Sequence, residues 1–245
     1  MPSDSFMTDA VHLQQVRFSY TRQQPILRID ELCISSGHRC FLHGPSGSGK
    51  TTLLSLISGV LKPQQGSIRI LGQELTQLSA AARDTLRGSQ IGYIFQGFNL
   101  IPYLSVEENI ALPCKLHPER RARITAETLS AEVTRLASRL DIHTHLSAPV
   151  AHLSVGQQQR VAIARAIIGS PALVIADEPT SALDTDRRED FLSLLTEVTG
   201  EAKARGNPEM TLLFVSHDRS LATRFDSILS LPEINQETRS LENTL

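Results

Sequence analysis

Gly44-Pro45-Ser46-Gly47-Ser48-Gly49-Lys50-Thr51, followed by Thr52, is the stretch that decides the fold. It fits the spacing GxxxxGK[ST]. It stands between a short β-prone run, Arg39–His43, and the stretch from Thr51 to Val60, where apolar residues take up helical spacing. The glycines let consecutive backbone N–H groups curl round a β-phosphate, and the positive end of the following helix draws the same anion. Lys50 is then placed to reach β- and γ-phosphates. The Thr51 hydroxyl suits Mg2+, an ion that keeps most of its waters and takes few protein ligands. A flexible Gly/Ser turn is the competing reading, and the strand before and helix after argue against it.

A second run, Ala172-Leu173-Val174-Ile175-Ala176, is continuous and apolar, the pattern of a parallel strand covered on both faces. It ends in Asp177-Glu178, so both carboxylates emerge at the C-terminal edge of a buried strand, where α/β sheets bind ligands. An isolated Asp-Glu pair would read as a solvated acidic turn, but Pro179-Thr180-Ser181-Ala182-Leu183-Asp184 follows directly. Thr211–Val215 is another such strand and leads into Ser216-His217-Asp218; residues 185–200 between the two read as one long helix. Upstream, Leu153-Ser154-Val155-Gly156-Gln157 runs into Gln158-Gln159-Arg160. Ser154 and the Gly156 N–H, near a helix beginning around Gln157, form a second anion-binding end. A serine-capped helix with no ligand is the plainer alternative.

In this order, these strings resemble the ATP-binding-cassette (ABC) ATPases over roughly residues 11–230. Residues 44–52 match the Walker A loop, 172–178 Walker B, and 153–157 the signature LSGGQ with Val155 in place of its first glycine. The resemblance implies an α/β P-loop NTPase fold. Its RecA-like core holds a mainly parallel sheet, with an N-terminal antiparallel β subdomain and an inserted α-helical subdomain. One domain would span 1–245: about 11–97 and 166–232 as catalytic core with the β subdomain, about 98–165 as the helical part bearing the signature, and 233–245 as a polar tail. The cofactors implied are ATP and Mg2+. Gly44, Pro45, Ser46, Gly47, Ser48, Gly49, Lys50, Thr51 and Thr52 would cradle the phosphates, and Tyr20 would stack on adenine, though an edge-strand tyrosine is its simpler reading. Asp177, Thr51 and Gln96 would serve the metal. Glu178 would orient and polarise the attacking water, supported by Lys50, Gln96 and the switch histidine His217. Ser154, Gly156 and Gln157 would meet an ATP held by a second subunit, with Asp184 along the interface. Val155, being β-branched, disfavours positive φ and keeps its backbone in the ordinary region.

The partners implied are a second cassette, as a homodimer or a pair, and a separate permease, with the protein cytoplasmic and peripheral on the inner face of the membrane. Phe98, Leu100, Ile101, Tyr103 and Leu104 are too apolar for a free loop, which suggests a groove for the permease; packing of the subdomain's own core is the alternative. Phe95-Gln96-Gly97-Phe98-Asn99-Leu100-Ile101-Pro102 and Glu107-Glu108-Asn109-Ile110 look like the branch serving lipoprotein release and macrolide efflux, and amino-acid importers have related strings. The rival readings are a soluble clamp working on ribosomes or DNA ends, and a binding-only cassette degenerate at Val155.

Composition agrees. At 245 residues, 40% hydrophobic and 20% charged, with net charge -2, the chain is long enough for a large core and is no polyanion binder, so nucleic acid is not expected. Cys33, Cys40 and Cys114 form no CxxC pair and read as buried reduced thiols. Met1 to Ala10 is polar and acidic, without the basic start and apolar core of a secretory signal. No apolar run approaches the roughly 20 residues that cross a bilayer. Residues 126–140 place Leu129, Val133, Leu136 and Leu140 on one helical face, while the stretch from His117 to Arg123 reads as a solvated helix start and His143, His145 and His152 as loop residues.

Overall fold

Val11 and Leu13, then Val16 and Phe18, are buried along β1 (Asp9–Thr21) after Ala10, so the two-residue alternation skips a place between Leu13 and Val16. β2 (Gln24–Ser35) skips at the matching point: Leu27 and Ile29 give way to Leu32 and Ile34, and the antiparallel register keeps Val16 opposite Ile29 and Leu13 opposite Leu32. Gln15 makes the break with φ of 51°, and Gly66 on the next strand accommodates it, since a Cβ there would lie 2.3 Å from the Gln15 carbonyl oxygen. The partial alternation of the sequence is thus a strand with an irregularity.

The structure, a computed structural model, describes residues 9–21, 24–181, 183, 185–204 and 209–237. After β2 come β3 (Arg39–His43), α1 (Lys50–Ile57), β4 (Gln65–Ile70), β5 (Gln73–Glu74), α2 (Ala80–Gln90) and β6 (Ile91–Ile94). They are followed by α3 (Val106–Leu116), α4 (Pro118–Ala122), α5 (Leu129–Arg139), α6 (Val155–Ile167), β7 (Leu173–Asp177), α7 (Thr185–Ala204), β8 (Thr211–Ser216), β9 (Ser227–Ser230) and α8 (Leu231–Ile234). The backbone divides into two compact units, Met1–Asp84 with Thr211–Leu245, and Thr85–Met210.

The first unit holds an antiparallel sheet in the order β2-β1-β4-β5, and the strand β3 paired in parallel with both β8 and β9. β8 is buried throughout and β3 from Cys40 on, as continuous apolar runs require, and Phe41, Phe214 and Phe225 gather at ring separations of 5.3–6.1 Å. In the second unit β6 and β7 pair in parallel from Ile91 opposite Leu173 to Ile94 opposite Ala176. Its helices bury Ile110 and Ala111 of α3, Val133 and Leu136 of α5, and Val161 to Ala164 of α6. The expected α/β plan of parallel strands with an antiparallel β layer is therefore present.

Three expectations are corrected. α6 begins at Val155, two residues before Gln157, because Ser154 and Gln157 form a reciprocal capping box: the Ser154 hydroxyl accepts from Gln157 N–H at 3.3 Å and the Gln157 amide oxygen from Ser154 N–H at 2.9 Å. The stretch from His117 to Arg123 does start a helix with Pro118, Glu119 and Ala122 exposed, but it is not solvated at Arg120. Arg120 is 2% exposed, because its guanidinium lies among carbonyls of Ile168, Gly88, Ile91, Arg165 and Ala166. Cys33 is exposed while Cys40 and Cys114 are buried, since β2 turns the Cys33 face outward. α2 went unforeseen; Ser79 opens it by accepting from the Ala82 N–H at 3.2 Å.

Candidate functional site

β3 ends in the buried His43, and the chain turns through the glycine loop into α1. Gly47 and Gly49 have φ of 79° and 100°, values a side chain would resist. α1 starts on Gly49 with no side-chain cap, so the positive helix end and its N–H groups stay directed at the loop. Lys50 is buried, and its ammonium lies over the loop, donating to Gly44 O at 2.8 Å and Pro45 O at 3.0 Å. Pro45, Ser46 and Gly47 are exposed, whereas Gly44, Ser48 and Thr52 are buried, and Ser48 Oγ is sealed from water without a hydrogen-bond partner. A curled backbone, a helix start and an ammonium at one point form an anion cradle. Thr51 is exposed at its rim. Burial, then the Arg219 charge, holds the His43 imidazole below its usual value against Glu233, so it adds no cation beneath the loop.

Tyr20, near the end of β1, is 63% exposed; its hydroxyl lies 3.3 Å from Thr52 Oγ1 and its ring stands edge-on to Phe18 at 5.0 Å. An aromatic face held open beside the loop suits stacking of a planar base. His217 follows the last residue of β8 and is exposed. Asp218 caps the next turn by accepting from Ser220 N–H at 3.1 Å.

In the second unit, Asp177 closes β7 and accepts from the Tyr93 hydroxyl at 3.4 Å; burial and the Asp177 charge push the Tyr93 phenol well above its usual range. Glu178 follows with φ of 44°, unusual for a residue with a Cβ, and both carboxylates are half-buried. Gln96 donates to Ser181 Oγ at 3.2 Å and Gln159 to Pro179 O at 3.3 Å. Tyr93, Gln96 and Gln159 thus hold the segment from Asp177 to Ser181, and of the three the sequence singles out only Gln96. Asp184 lies outside the described residues.

At the signature, Ser154 is the N-cap of α6, Val155 its first residue at 51% exposure, and Gly156 its second. Val155 keeps ordinary backbone angles, as its branching demands. A Cβ at Gly156 would meet nothing within 4 Å, and its φ is not positive, so neither backbone conformation nor packing within this chain calls for glycine there. Gln157 turns its amide nitrogen to His145 Nε2 at 2.8 Å.

The apolar loop after Gln96 is held by two side chains. Asn109, fully buried, accepts from Ile101 N–H at 2.9 Å and donates to the carbonyls of Ile101, Leu104 and Ser105 at 3.0–3.3 Å. Arg165 donates to Phe98 O at 2.5 Å and Asn99 O at 2.6 Å, where both residues take positive φ. Tyr103 is left 80% exposed at the loop's tip.

The ABC transporter family profile matches residues 27–181, more than half of the chain. The chain belongs to the ABC transporter family. It is 36% identical over 217 residues to the macrolide export ATP-binding/permease protein MacB of Syntrophobacter fumaroxidans, covering 87% of this chain but only 29% of MacB. With the lipoprotein-releasing system ATP-binding protein LolD of Anaeromyxobacter dehalogenans it shares 37% identity over 227 residues, 91% of each chain. Its backbone is similar to that of an ATP-binding cassette solved as a dimer in a post-hydrolysis state bound to ADP and Pi, with a TM-score of 0.76, 32% identity, and 90% of this chain and 93% of that one covered. No helix among the described residues is long and apolar enough to cross a membrane.

Proposed function

We propose that this chain binds and hydrolyses ATP, dimerises around two MgATP and thereby drives a separate transmembrane permease. The observation that carries the reading is the loop from Gly44 to Thr51: positive φ at Gly47 and Gly49, an uncapped α1 and the Lys50 ammonium over the loop concentrate anion-binding groups at one point. Gly156 adds support, being a glycine without use inside this chain. Ser154 and Gly156 then receive the nucleotide of a second subunit.

The Thr51 hydroxyl, the Gln96 amide oxygen and the Asp177 carboxylate are oxygen donors throughout, the set a hard cation such as Mg2+ takes. When bound, Mg2+ neutralises charge developing on the phosphates. Lys50 and the loop N–H groups orient the nucleotide, Tyr20 stacks its base, and Glu178 and His217 position the attacking water. Residues 11–97 with 166–232 act as the nucleotide-binding core and 98–165 as the arm bearing the signature. The loop from Phe98 to Leu104 is the permease dock, supported by the exposed Tyr103, and seats the protein on the inner face of the membrane. The permease class favoured is that of lipoprotein release and macrolide export, for which the two relatives above are named.

The test is Mg2+-dependent ATP turnover and nucleotide binding by the purified chain. Lys50→Ala should lose both. Glu178→Gln should keep ATP binding, accumulate an ATP-bound dimer, and lose turnover by roughly 10²-fold or more. Wild-type turnover in Glu178→Gln would overturn the catalytic assignment.

A further inference from the structure

Asp9 and His12 on β1 and Cys33 on β2 bring a carboxylate oxygen, an imidazole nitrogen and a thiol sulfur within 4.8 Å of one another. The register makes the cluster, because His12 stands directly opposite Cys33 and a shift between Asp9 and Val11 takes Asp9 out of the regular ladder. Glu31, two residues before Cys33, places Oε1 3.7 Å from His12 Nε2. That nitrogen is sealed from water and makes no hydrogen bond. No lysine or arginine among the described residues forms an ion pair with Asp9 or Glu31; Arg69, facing His12 from β4, stands opposite Glu74 of β5. The Cys33 thiol is pushed above its ordinary value by partial burial, then by the Asp9 and Glu31 charges. Nitrogen, sulfur and one carboxylate therefore converge, with the Glu31 carboxylate beside the imidazole and no fixed cation paired to either acid.

We infer that Asp9, His12, Cys33 and Glu31 form a binding site for Zn2+ on the outer face of the β1/β2 pair. Sulfur and imidazole nitrogen select zinc over the hard cations, and one Cys, one His and two carboxylates complete a tetrahedral shell. Zinc bond lengths place neighbouring donors roughly 3.4–3.6 Å apart in such a shell. The His12 to Glu31 separation is already close to that, and the Asp9, His12 and Cys33 donors lie within 4.8 Å of one another. On binding, the Cys33 S–H bond breaks, the thiolate takes the metal, and the proton passes to water. The site is separate from the nucleotide machinery, and its ligands clasp β1 to β2, the strands whose far ends carry Tyr20 and Leu27.

Co2+ titration of the reduced, untagged full chain tests this, followed by displacement with Zn2+. A thiolate-to-cobalt charge-transfer band and intense tetrahedral ligand-field absorption at one equivalent are expected, with one proton released. Cys33→Ser and His12→Gln should weaken binding by roughly 10–100-fold or more, since loss of even an outer-shell partner has that effect. Cys114→Ser should keep the band, and retained ATP binding in each variant shows that it is folded. The inference is overturned if the wild type gives no band, if the band survives Cys33→Ser, or if it needs Cys33 but not His12, which would mark an adventitious thiol.

Discussion

Replacing Arg120 by methionine removes a side chain whose partners all lie elsewhere in the backbone of its unit. α6 ends with carbonyls that no helical N–H can reach. Ala164 O is taken by Ile168 N–H at 3.0 Å and Ile167 O by Ser170 N–H at 2.9 Å. Arg165 O and Ala166 O go to the Arg120 guanidinium, which also serves Ile168 O at 2.8 Å, Ile91 O at 3.0 Å and Gly88 O at 3.3 Å. Burial lowers its pKa only to about 10, so it remains a cation at neutral pH, the charge a helix C-terminus favours. Methionine fills similar space but donates nothing. Each buried carbonyl left unpaired costs about 1–3 kcal/mol, and two of them give roughly 2–6 kcal/mol, a large part of the total stability of an ordinary domain. Urea denaturation followed by circular dichroism measures it, with Arg121→Met as control. Arg121 carries the same charge one residue on and should matter by less than about 0.5 kcal/mol. If Arg120→Met lies within about 1 kcal/mol of wild type, or the control costs as much, Arg120 does not close α6.

Two other substitutions follow from the geometry. Asp226 accepts from Arg39 through its N–H at 2.9 Å, Nε at 3.1 Å and Nη2 at 2.7 Å, and the Arg39 guanidinium holds its carboxyl below the ordinary 3.8. A depressed folded pKa gives stability that is full above the unfolded value and lost as pH falls through the folded one. Asp226→Asn should thus cost about 1 kcal/mol at pH 7, a modest figure because both side chains are more than a third exposed, and the gap should close below the ordinary carboxylate value. Urea midpoints across a pH series decide it; a gap unchanged in strong acid refutes the pairing. Gly156→Ala should stabilise the isolated chain by about 0.5–1 kcal/mol, since the helical backbone and open space favour alanine. ATP turnover should nevertheless fall, because the glycine serves a neighbouring subunit. A destabilised variant with normal turnover would contradict both halves.

The motifs were legible because phosphate chemistry imposes local spacing: an anion cradle needs its glycines, lysine and helix start within one turn, and residues 44–51 contain all of them. What fastens the motifs was not. Arg120 and Asn109 bond to backbone carbonyls, and since every residue carries a carbonyl, such a bond leaves no mark in its partner's sequence. His12 and Cys33 become neighbours only once the register of β1 and β2 is known, and that register shifts between Asp9 and Val11, next to the cluster. The start of α6 is readable, since Ser154-x-x-Gln157 is a capping box, and the box sets the helix start at Val155 and not around Gln157. The cap and the anion-binding end coexist. A helix whose first turn is capped by its own side chains still directs its positive end outward, and one whose last turn is closed by Arg120 cannot shift along its axis without orphaning those carbonyls. Arg165, in that same last turn, carries the helix to the backbone of Phe98 and Asn99. The loop that presents Tyr103 is therefore tied to the signature helix by two hydrogen bonds to a single guanidinium, inside one unit of the chain.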